Sequence, residues 1–390
     1  MRMNLPLARF AAILFVATAI SFGGVSRADD DKRQSPRIRA MTQNLYVGAD
    51  LFRILSVTAP EQVPAVVAEI FGIIQQTNFQ GRADAIAKSI EHKRPDVIGL
   101  QEVSLIRIQT PSDYFVGNPN QAETVAYDYL QILLAALKAR GLHYHVASQV
   151  QNVDIELPAF AGIDEYGIPI FNDVRLTDRD VILVKDGVRT SGPTSANFQV
   201  NLEIPVAGNT IAFTRGYTGV DVKLRHKKYR VINTHLEVKG EGQVVAVQAL
   251  QAQELIGVLA SEHKPVVLLG DLNSAPNETI DLATGAVPPY MQFSFSGYRD
   301  SWLQSKNADQ PGFTCCQAEL LMNPGSLFDQ RIDYVLYRNQ HYADARRKTG
   351  VYTDVVGDEE TDKTSAGLWP SDHGGVFASI RVPHSAHHRR

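Results

Sequence analysis

Six short strings in this 390-residue chain put a side chain that could bind a cation, move a proton or hold an anion at the end of an apolar run. Ala40-Met-Thr-Gln-Asn44 closes with an amide, Asp96-Val-Ile-Gly-Leu-Gln-Glu102 with a carboxylate, and Val231-Ile-Asn-Thr-His235 with an imidazole. Val266-Val-Leu-Leu-Gly-Asp-Leu-Asn273 closes with the acid Asp271 and the amide Asn273. Arg331-Ile-Asp333 opens a strand with an acid, and Ser371-Asp372-His373 precedes another. Each string also has an ordinary reading. An Asp or Asn at a strand end is a common turn former, so Gly270–Ser274 could be an Asx turn. Asp333 could pair with Arg331, His235 could be a hydrogen-bonded structural histidine, and Asp372-His373 could cap a loop. Gathered together, these groups are costly to bury unless a cation and an anion bind among them.

The strings run in one order from Asn44 to His373: Thr42-Gln-Asn44, Leu100-Gln-Glu102-Val, Asn233-Thr-His235-Leu, Gly270-Asp-Leu-Asn273, Arg331-Ile-Asp333-Tyr and Ser371-Asp-His373. In this the chain resembles the endonuclease/exonuclease/phosphatase superfamily, which includes pancreatic-type deoxyribonucleases, abasic-site endonucleases, inositol-phosphate phosphatases and neutral sphingomyelinases. The resemblance implies a four-layer α/β sandwich: two mixed β-sheets packed face to face, helices outside, one cleft at the top. It leaves the substrate open.

Cleavage of a phosphodiester needs an activated water, charge relief on the non-bridging oxygens and stabilisation of the leaving oxygen. A hard divalent cation, Mg²⁺ or Mn²⁺, serves the second need and takes few carboxylates. Glu102 is the leading ligand candidate with Asn44 beside it, as the resemblance also implies, and Asp372 is a further ligand or a supporting acceptor. His373 is the candidate base, because an imidazole titrates near neutrality; the resemblance gives Asp333 the part of fixing its tautomer. Asp271 and Asn273 would orient water and donate to the scissile phosphate. His235 would contact phosphate oxygens or protonate the leaving group. By the same resemblance an acid before an earlier strand should pair with His235, and Asp178 in Thr177-Asp-Arg-Asp180 is favoured.

Positioning these groups requires strands and helices in alternation. Strands are expected at Ile38–Leu45, Asp96–Val103, His143–Ser148, Asp180–Lys185, Thr210–Thr214, Gly219–Leu224, Tyr229–Thr234, Pro265–Gly270, Asp333–Tyr337 and Gly375–Arg381, and helices at Gly81–Lys93, Ala122–Arg140 and Val244–Ala260. That order predicts mixed sheets covered by helices. Three polar stretches, Ser104–Gln121, Val150–Leu176 and Ser274–Asp329, read as long loops walling a cleft. Met1–Ala28 has the layout of a secretory signal peptide, which predicts a secreted or periplasmic protein. Residues 29–37 read as a disordered linker, 38–382 as one catalytic domain and 383–390 as a disordered tail.

Composition is that of a globular protein, 44% apolar and 21% charged, and a net charge of −4 offers no basic field for nucleic acid. Adjacent Cys315 and Cys316 could form a vicinal disulfide or stay as thiols. The basic run Arg225–Arg230 reads as a hairpin turn. Pro288–Phe295 and Ile155–Phe171 supply apolar residues that could face a lipid surface or turn into the core. Three functions follow: a phosphodiesterase for lipid head groups, sphingomyelinase-like, or for small phosphodiesters; an exported nuclease for DNA or RNA; and a non-catalytic binding module. A peripheral membrane contact belongs to the first. No protein partner is indicated, and the chain reads as a monomer.

Overall fold

The computed structural model describes residues 36–206, 209–339 and 350–381. The signal peptide, nearly all of the 29–37 linker and the 383–390 tail lie outside them. In chain order the strands are β1 (Arg37–Asn44), β2 (Val97–Gln101), β3 (Leu105–Gln109), β4 (Thr124–Asp128), β5 (Tyr144–Ile163), β6 (Pro169–Lys185), β7 (Arg189–Asn197), β8 (Leu202–Val206), β9 (Asn209–Phe213), β10 (Gly216–Leu224), β11 (Lys227–His235), β12 (Val266–Asp271), β13 (Arg299–Asp300), β14 (Asp333–Arg338), β15 (Val351–Val356) and β16 (Gly375–Arg381). The helices are α1 (Val63–Gln76), α2 (Phe79–Lys93), α3 (Tyr129–Ala139), α4 (Gln243–Leu259) and α5 (Pro289–Phe295). Among the described residues no helix is long and apolar enough to cross a membrane.

An eight-stranded sheet runs β15-β16-β1-β2-β6-β3-β4, with β5 also paired to β6; a six-stranded sheet runs β13-β14-β12-β11-β10-β7. Both mix parallel and antiparallel pairs. Side chains alternate between faces along a strand. Ile38, Ala40, Val97, Ile182 and Val184 of the first sheet accordingly meet Val220, Val231, Val267, Leu269 and Val335 of the second in a dry inter-sheet core. The opposite faces are covered by helices: α2 and α3 pack on the first sheet through Ile86, Ile90, Leu133 and Leu137, and α4 and α5 pack on the second through Leu255, Leu259 and Phe293. The result is the expected four-layer sandwich.

One polar junction interrupts the inter-sheet core near its top. Asn233 donates to the Leu100 and Val181 carbonyls (2.8 and 3.2 Å) and accepts from Gln101 (2.6 Å), whose own Oε1 accepts from Thr42. Gly99 makes room for it, since a Cβ there would stand 2.5 Å from Asn233 Oδ1 and 2.9 Å from Leu269 Cβ.

Several expectations are corrected. The stretch 150–176 is no loop; it belongs to a long β5–β6 hairpin that turns at Asp164–Gly167. Pro158 and Gly162 look like breakers, but Pro158 is tolerated because β5 pairs with β6 alone in its sheet, and bulges accommodate the local irregularities. Residues 122–140 are not one helix: Thr124–Asp128 pairs with β3, and the Asp128 carboxylate caps α3 by accepting from the Leu130 and Gln131 amides. Of the long segments read as loops, 104–121 begins with β3, and 274–329 carries α5 and β13. Strand β1 starts at Arg37, within the stretch read as linker. The helix α1 was not foreseen.

The other readings of side-chain placement resolve as follows. Arg225-His226 is the turn between β10 and β11. Tyr290 and Phe293 of the apolar 288–295 segment turn into the core, while Phe295 stays exposed. At the β5–β6 tip Ile163, Tyr166 and Ile168 are exposed. Cys315 and Cys316 are joined as a vicinal disulfide.

The Asn233 junction generates a stability prediction. Asn233→Ala removes its hydrogen bonds and strands the buried Gln101 amide, so urea unfolding should show a loss on the order of 3 kcal/mol. A midpoint and slope equal to wild type would contradict this account of how the sheets are joined.

Candidate active site

The face that forms the inter-sheet core continues upward into chemistry. On β11 Val231, Asn233 and His235 share one face; on β12 Val267, Leu269 and Asp271 do; on β6 Ile182, Asp180 and Asp178 do. Register then lines the second sheet's ends in a row. His235 lies opposite Gly216 on β10 and opposite Asp271 on β12, and Asp271 lies opposite Asp333 on β14. Gly270 allows β12 to approach β11 this closely, because a Cβ there would sit 2.2 Å from the Thr234 carbonyl oxygen. From the first sheet come Asn44 and Gln101, opposite one another, and Glu102 just beyond them.

Asp271 is the hub of the site. Its Oδ1 accepts from the Asn273 amide at 2.9 Å, so the Asx turn is present together with the cluster. Its Oδ2 accepts from Asn44 Nδ2 at 3.2 Å and lies 3.5 Å from His235 Nε2 and 3.7 Å from His373 Nδ1. Burial, then repulsion from Asp333, pushes this carboxyl up to about 7. His373 Nδ1 pairs with Asp333 Oδ2 at 2.9 Å. Arg331, the alternative partner for Asp333, instead pairs with Asp300. Burial works against a charged His373 ring, but Asp333, Asp372 and Asp271 together hold it well above the usual histidine range. Burial likewise lifts Asp372 to about 6, with His373 opposing and Glu102 adding to the rise.

His235 is held the opposite way. Burial, the Arg215 guanidinium and His373 push it well below the usual range, so its ring is neutral. Arg215 Nη1 donates to Nδ1 at 3.0 Å, which leaves the ring proton on Nε2, 3.5 Å from Asp271 Oδ2; the Asn273 side-chain nitrogen, 3.1 Å from Nε2, is itself a donor and gives its hydrogen bond to the Leu236 carbonyl. Of the two parts read for His235, a neutral Nε2–H suits a phosphate contact; the ring has no surplus proton for a leaving oxygen.

Two sequence readings change here. Asp178 is not hydrogen-bonded to His235: Arg215 occupies Nδ1, and Asp178 instead accepts from Asn152 at 3.0 Å. Burial raises Asp178, and more strongly the neighbouring Asp180, with which it shares Asn152. Asn44 turns its nitrogen toward the acids, donating to Glu102 Oε1 at 3.0 Å and to Asp271, while its oxygen accepts from the Tyr46 amide at 2.9 Å. It therefore tethers carboxylates, and its oxygen is the poorer ligand. Glu102, at φ 54°, also accepts from the Val47 amide at 2.7 Å.

Arg215 was missed in the sequence. It stands between β9 and β10 one residue before the partner of His235, with Glu237 Oε1 3.6 Å away. Burial opposes its charge, but Glu237, Asp178 and Glu102 raise its pKa, so it stays cationic. The Gly312–Cys316 segment braces the site through Thr314 and Cys315. Thr314 Oγ1 accepts from the Asp333 amide, the Thr314 carbonyl accepts from Gly374, and Cys315 bridges to His373 in the backbone. Arg82, fully buried, donates to the carbonyls of Leu45, Tyr46, Thr77 and Pro370 and so fixes the loops after Asn44 and before Asp372.

These residues suit a hard cation. Asp271, Asp333 and a His373 nitrogen lie within 4.8 Å of one another, and the buried Asp333 Oδ1 has no hydrogen-bond partner. Glu102 and Asp372 add oxygen donors on the same cleft, which measures about 350 Å³.

The Endonuclease/Exonuclease/phosphatase family model matches residues 41–373. No curated protein matches the chain. Among solved structures, the endonuclease/exonuclease/phosphatase from Beutenbergia cavernae is 20% identical with a TM-score of 0.51, covering 90% of this chain and 72% of that one. A truncated Caenorhabditis elegans TDP2 is 14% identical (TM-score 0.47, covering 89% and 98%), and an endonuclease/exonuclease/phosphatase from Bacteroides vulgatus is 16% identical (0.48, 89% and 99%).

A carboxyl whose pKa rises on folding costs nothing below its unfolded value of about 3.9 and progressively destabilises as pH climbs toward its folded value. For Asp271 that value is about 7. In metal-free buffer Asp271→Asn should therefore be more stable than wild type at pH 8, by on the order of 2 kcal/mol, with the advantage fading toward pH 4. The same variant should lose activity at least ~10²-fold. A less stable variant at pH 8 would remove the charge-crowding argument.

Proposed function

We propose, for a chain that belongs to the endonuclease/exonuclease/phosphatase family, whose members are generally hydrolases acting on phosphoester bonds, that it is an exported, divalent-metal-dependent phosphodiesterase acting on lipid head groups or small phosphodiesters. The observation that carries this reading is the division of the cleft by charge. One side gathers Glu102, Asp372 and His373, with Asp333 buried behind the His373 ring; the other offers the Arg215 guanidinium, beside Asp178, the neutral His235 and the Asn273 amide, with Asp271 between. The first side is suited to a cation and a proton-accepting base, the second to a single phosphate.

Glu102 and Asp372 would hold the cation, with Asn44 fixing Glu102. A bound Mg²⁺ or Mn²⁺ supplies charge relief to the phosphate oxygens and lowers the pKa of water beside it. His373 takes the proton of the attacking water through its free Nε2, its Nδ1 being engaged by Asp333. It can do so only where the acids around it are balanced by charge other than its own proton, so the base role and the cation are linked. Arg215, His235 and Asn273 hold the phosphate on the opposite side.

A polyanionic substrate fits this cleft poorly. Among the residues lining it Arg215 is the only arginine or lysine, against the acids Asp50, Glu102, Asp178, Asp271, Glu319 and Asp372. A nuclease groove gathers cations along the backbone it tracks. The exposed Ile163, Tyr166 and Ile168 at the hairpin tip are among the apolar side chains available for a lipid surface.

The test is a divalent-dependent panel of bis-p-nitrophenyl phosphate, sphingomyelin, phosphatidylcholine, plasmid DNA and RNA. The phosphodiester and at least one lipid should be hydrolysed, EDTA should abolish turnover, and Mg²⁺ or Mn²⁺ should restore it. His373→Ala and Asp333→Ala, folded by circular dichroism, should each lose roughly 10²-fold or more. Full turnover in chelator, or turnover confined to nucleic acid, overturns the reading.

A further inference from the structure

Beside the charged cleft lies a trough of about 80 Å³ whose lining is wholly apolar among the described residues. It falls between two small hydrophobic clusters separate from the main core, one around Ile54, Val67 and Ile211, the other around Ile70, Ile74 and Ile106. Its walls come from the 3-10 turn Leu51–Ser56, from α1, from the β5–β6 hairpin, from β9 and from Ile106 of β3. None of these elements supplies a group to the row formed by His235, Asp271 and Asp333.

The trough and the cleft share a boundary. Leu51, Val153, Leu176 and Phe213 line both, and Phe52 stacks on Phe213 with ring centroids 5.4 Å apart on the cleft side. Polarity changes along single strands at this boundary. On β6, Val174, Leu176 and Asp178 alternate onto one face, the first two lining the trough and the last two the cleft. In the Phe213-Thr214-Arg215 segment the phenyl ring lines the trough and the guanidinium, two residues later, faces His235. A ligand whose phosphate is held by Arg215, His235 and Asn273 thus has an all-hydrocarbon surface within reach of its next atoms, and no polar group there to hydrogen-bond a sugar or a base edge.

We infer that this trough holds the proximal part of an alkyl or acyl chain attached to the phosphoester, so that the substrate is an amphiphile and the chain is read by the enzyme itself. The inference deepens the phosphodiesterase reading and rests on it for the position of the phosphate.

The experiment uses alkyl p-nitrophenyl phosphates with methyl, butyl and octyl chains, each below its micelle concentration. Burying one methylene changes an equilibrium about fourfold. From methyl to butyl kcat/KM should therefore rise on the order of 50-fold, with a smaller gain to octyl once the trough is filled. Leu176→Asn should flatten this dependence by about tenfold or more. Calorimetric titration of wild-type protein with methyl-, butyl- and octylphosphonate, which need no turnover and no variant, should show the same trend in affinity. Hydrolysis of all three esters at one rate overturns the trough and leaves the phosphodiesterase reading standing. Absence of hydrolysis with length-dependent phosphonate binding overturns that reading and leaves the trough. Equal binding of the three phosphonates, or faster cleavage of a p-nitrophenyl nucleotide ester than of the butyl ester, overturns the inference.

Discussion

Asn233 joins the two sheets by hydrogen bonds at the one level where hydrocarbon gives way to charge. Below it, packing of Val231, Val267 and Leu269 against Ile182 and Val184 fixes the distance between sheets without fixing their lateral register. A buried amide that reaches two carbonyls of the opposite sheet and accepts from a third group tolerates little sliding. The groups above it arrive from both sheets: Asn44 and Glu102 from one, His235 and Asp271 from the other. The contact of Asn44 with both Glu102 and Asp271 exists because the junction sets them face to face.

What is held there is electrostatically uncomfortable. Asp271, Asp333, Asp372 and Glu102 share a confined volume, which raises the pKa of Asp271 and of His373, and the Arg215 guanidinium stands on the far side. A site of this kind trades stability for affinity toward cations and phosphate, which is the usual position of a catalytic centre on a rigid scaffold. Rigidity comes from groups with no chemistry of their own. Arg82 is a buried cation satisfied by backbone carbonyls, and Thr314 anchors Asp333 and the residue after His373 through one short segment.

The row of catalytic candidates was legible because strand periodicity is local. Val231, Asn233 and His235 must share a face wherever the strand goes, and the same holds for Leu269 and Asp271. Arg215 was not legible, since it lies in a two-residue link with no apolar run ending on it, and its importance arises from a neighbour twenty residues away. The pairing expected between Asp178 and His235 failed for the same reason: the sequence places an acid near the right strand end but carries no sign that an arginine will take the imidazole nitrogen first. The amide orientation of Asn44 depends on the Tyr46 amide and two acids, which only the fold assembles. The β5–β6 hairpin was hidden by Pro158, Gly162 and Gly167, residues that punctuate a sequence locally while long-range pairing overrides them.

The apolar trough is lined by a 3-10 turn, α1 and β9, together with the outer part of the β5–β6 hairpin and Ile106 of β3, none of which carries the row of His235, Asp271 and Asp333. On the proposed reading, mutations in those parts would change what can lie beside the phosphate without moving the row of His235, Asp271 and Asp333. Selection can therefore explore new substrates along one set of residues while the reaction is conserved by another. A scaffold divided in this way is evolvable, and laboratory redesign of its specificity would begin in the hairpin and α1, leaving the strand ends alone.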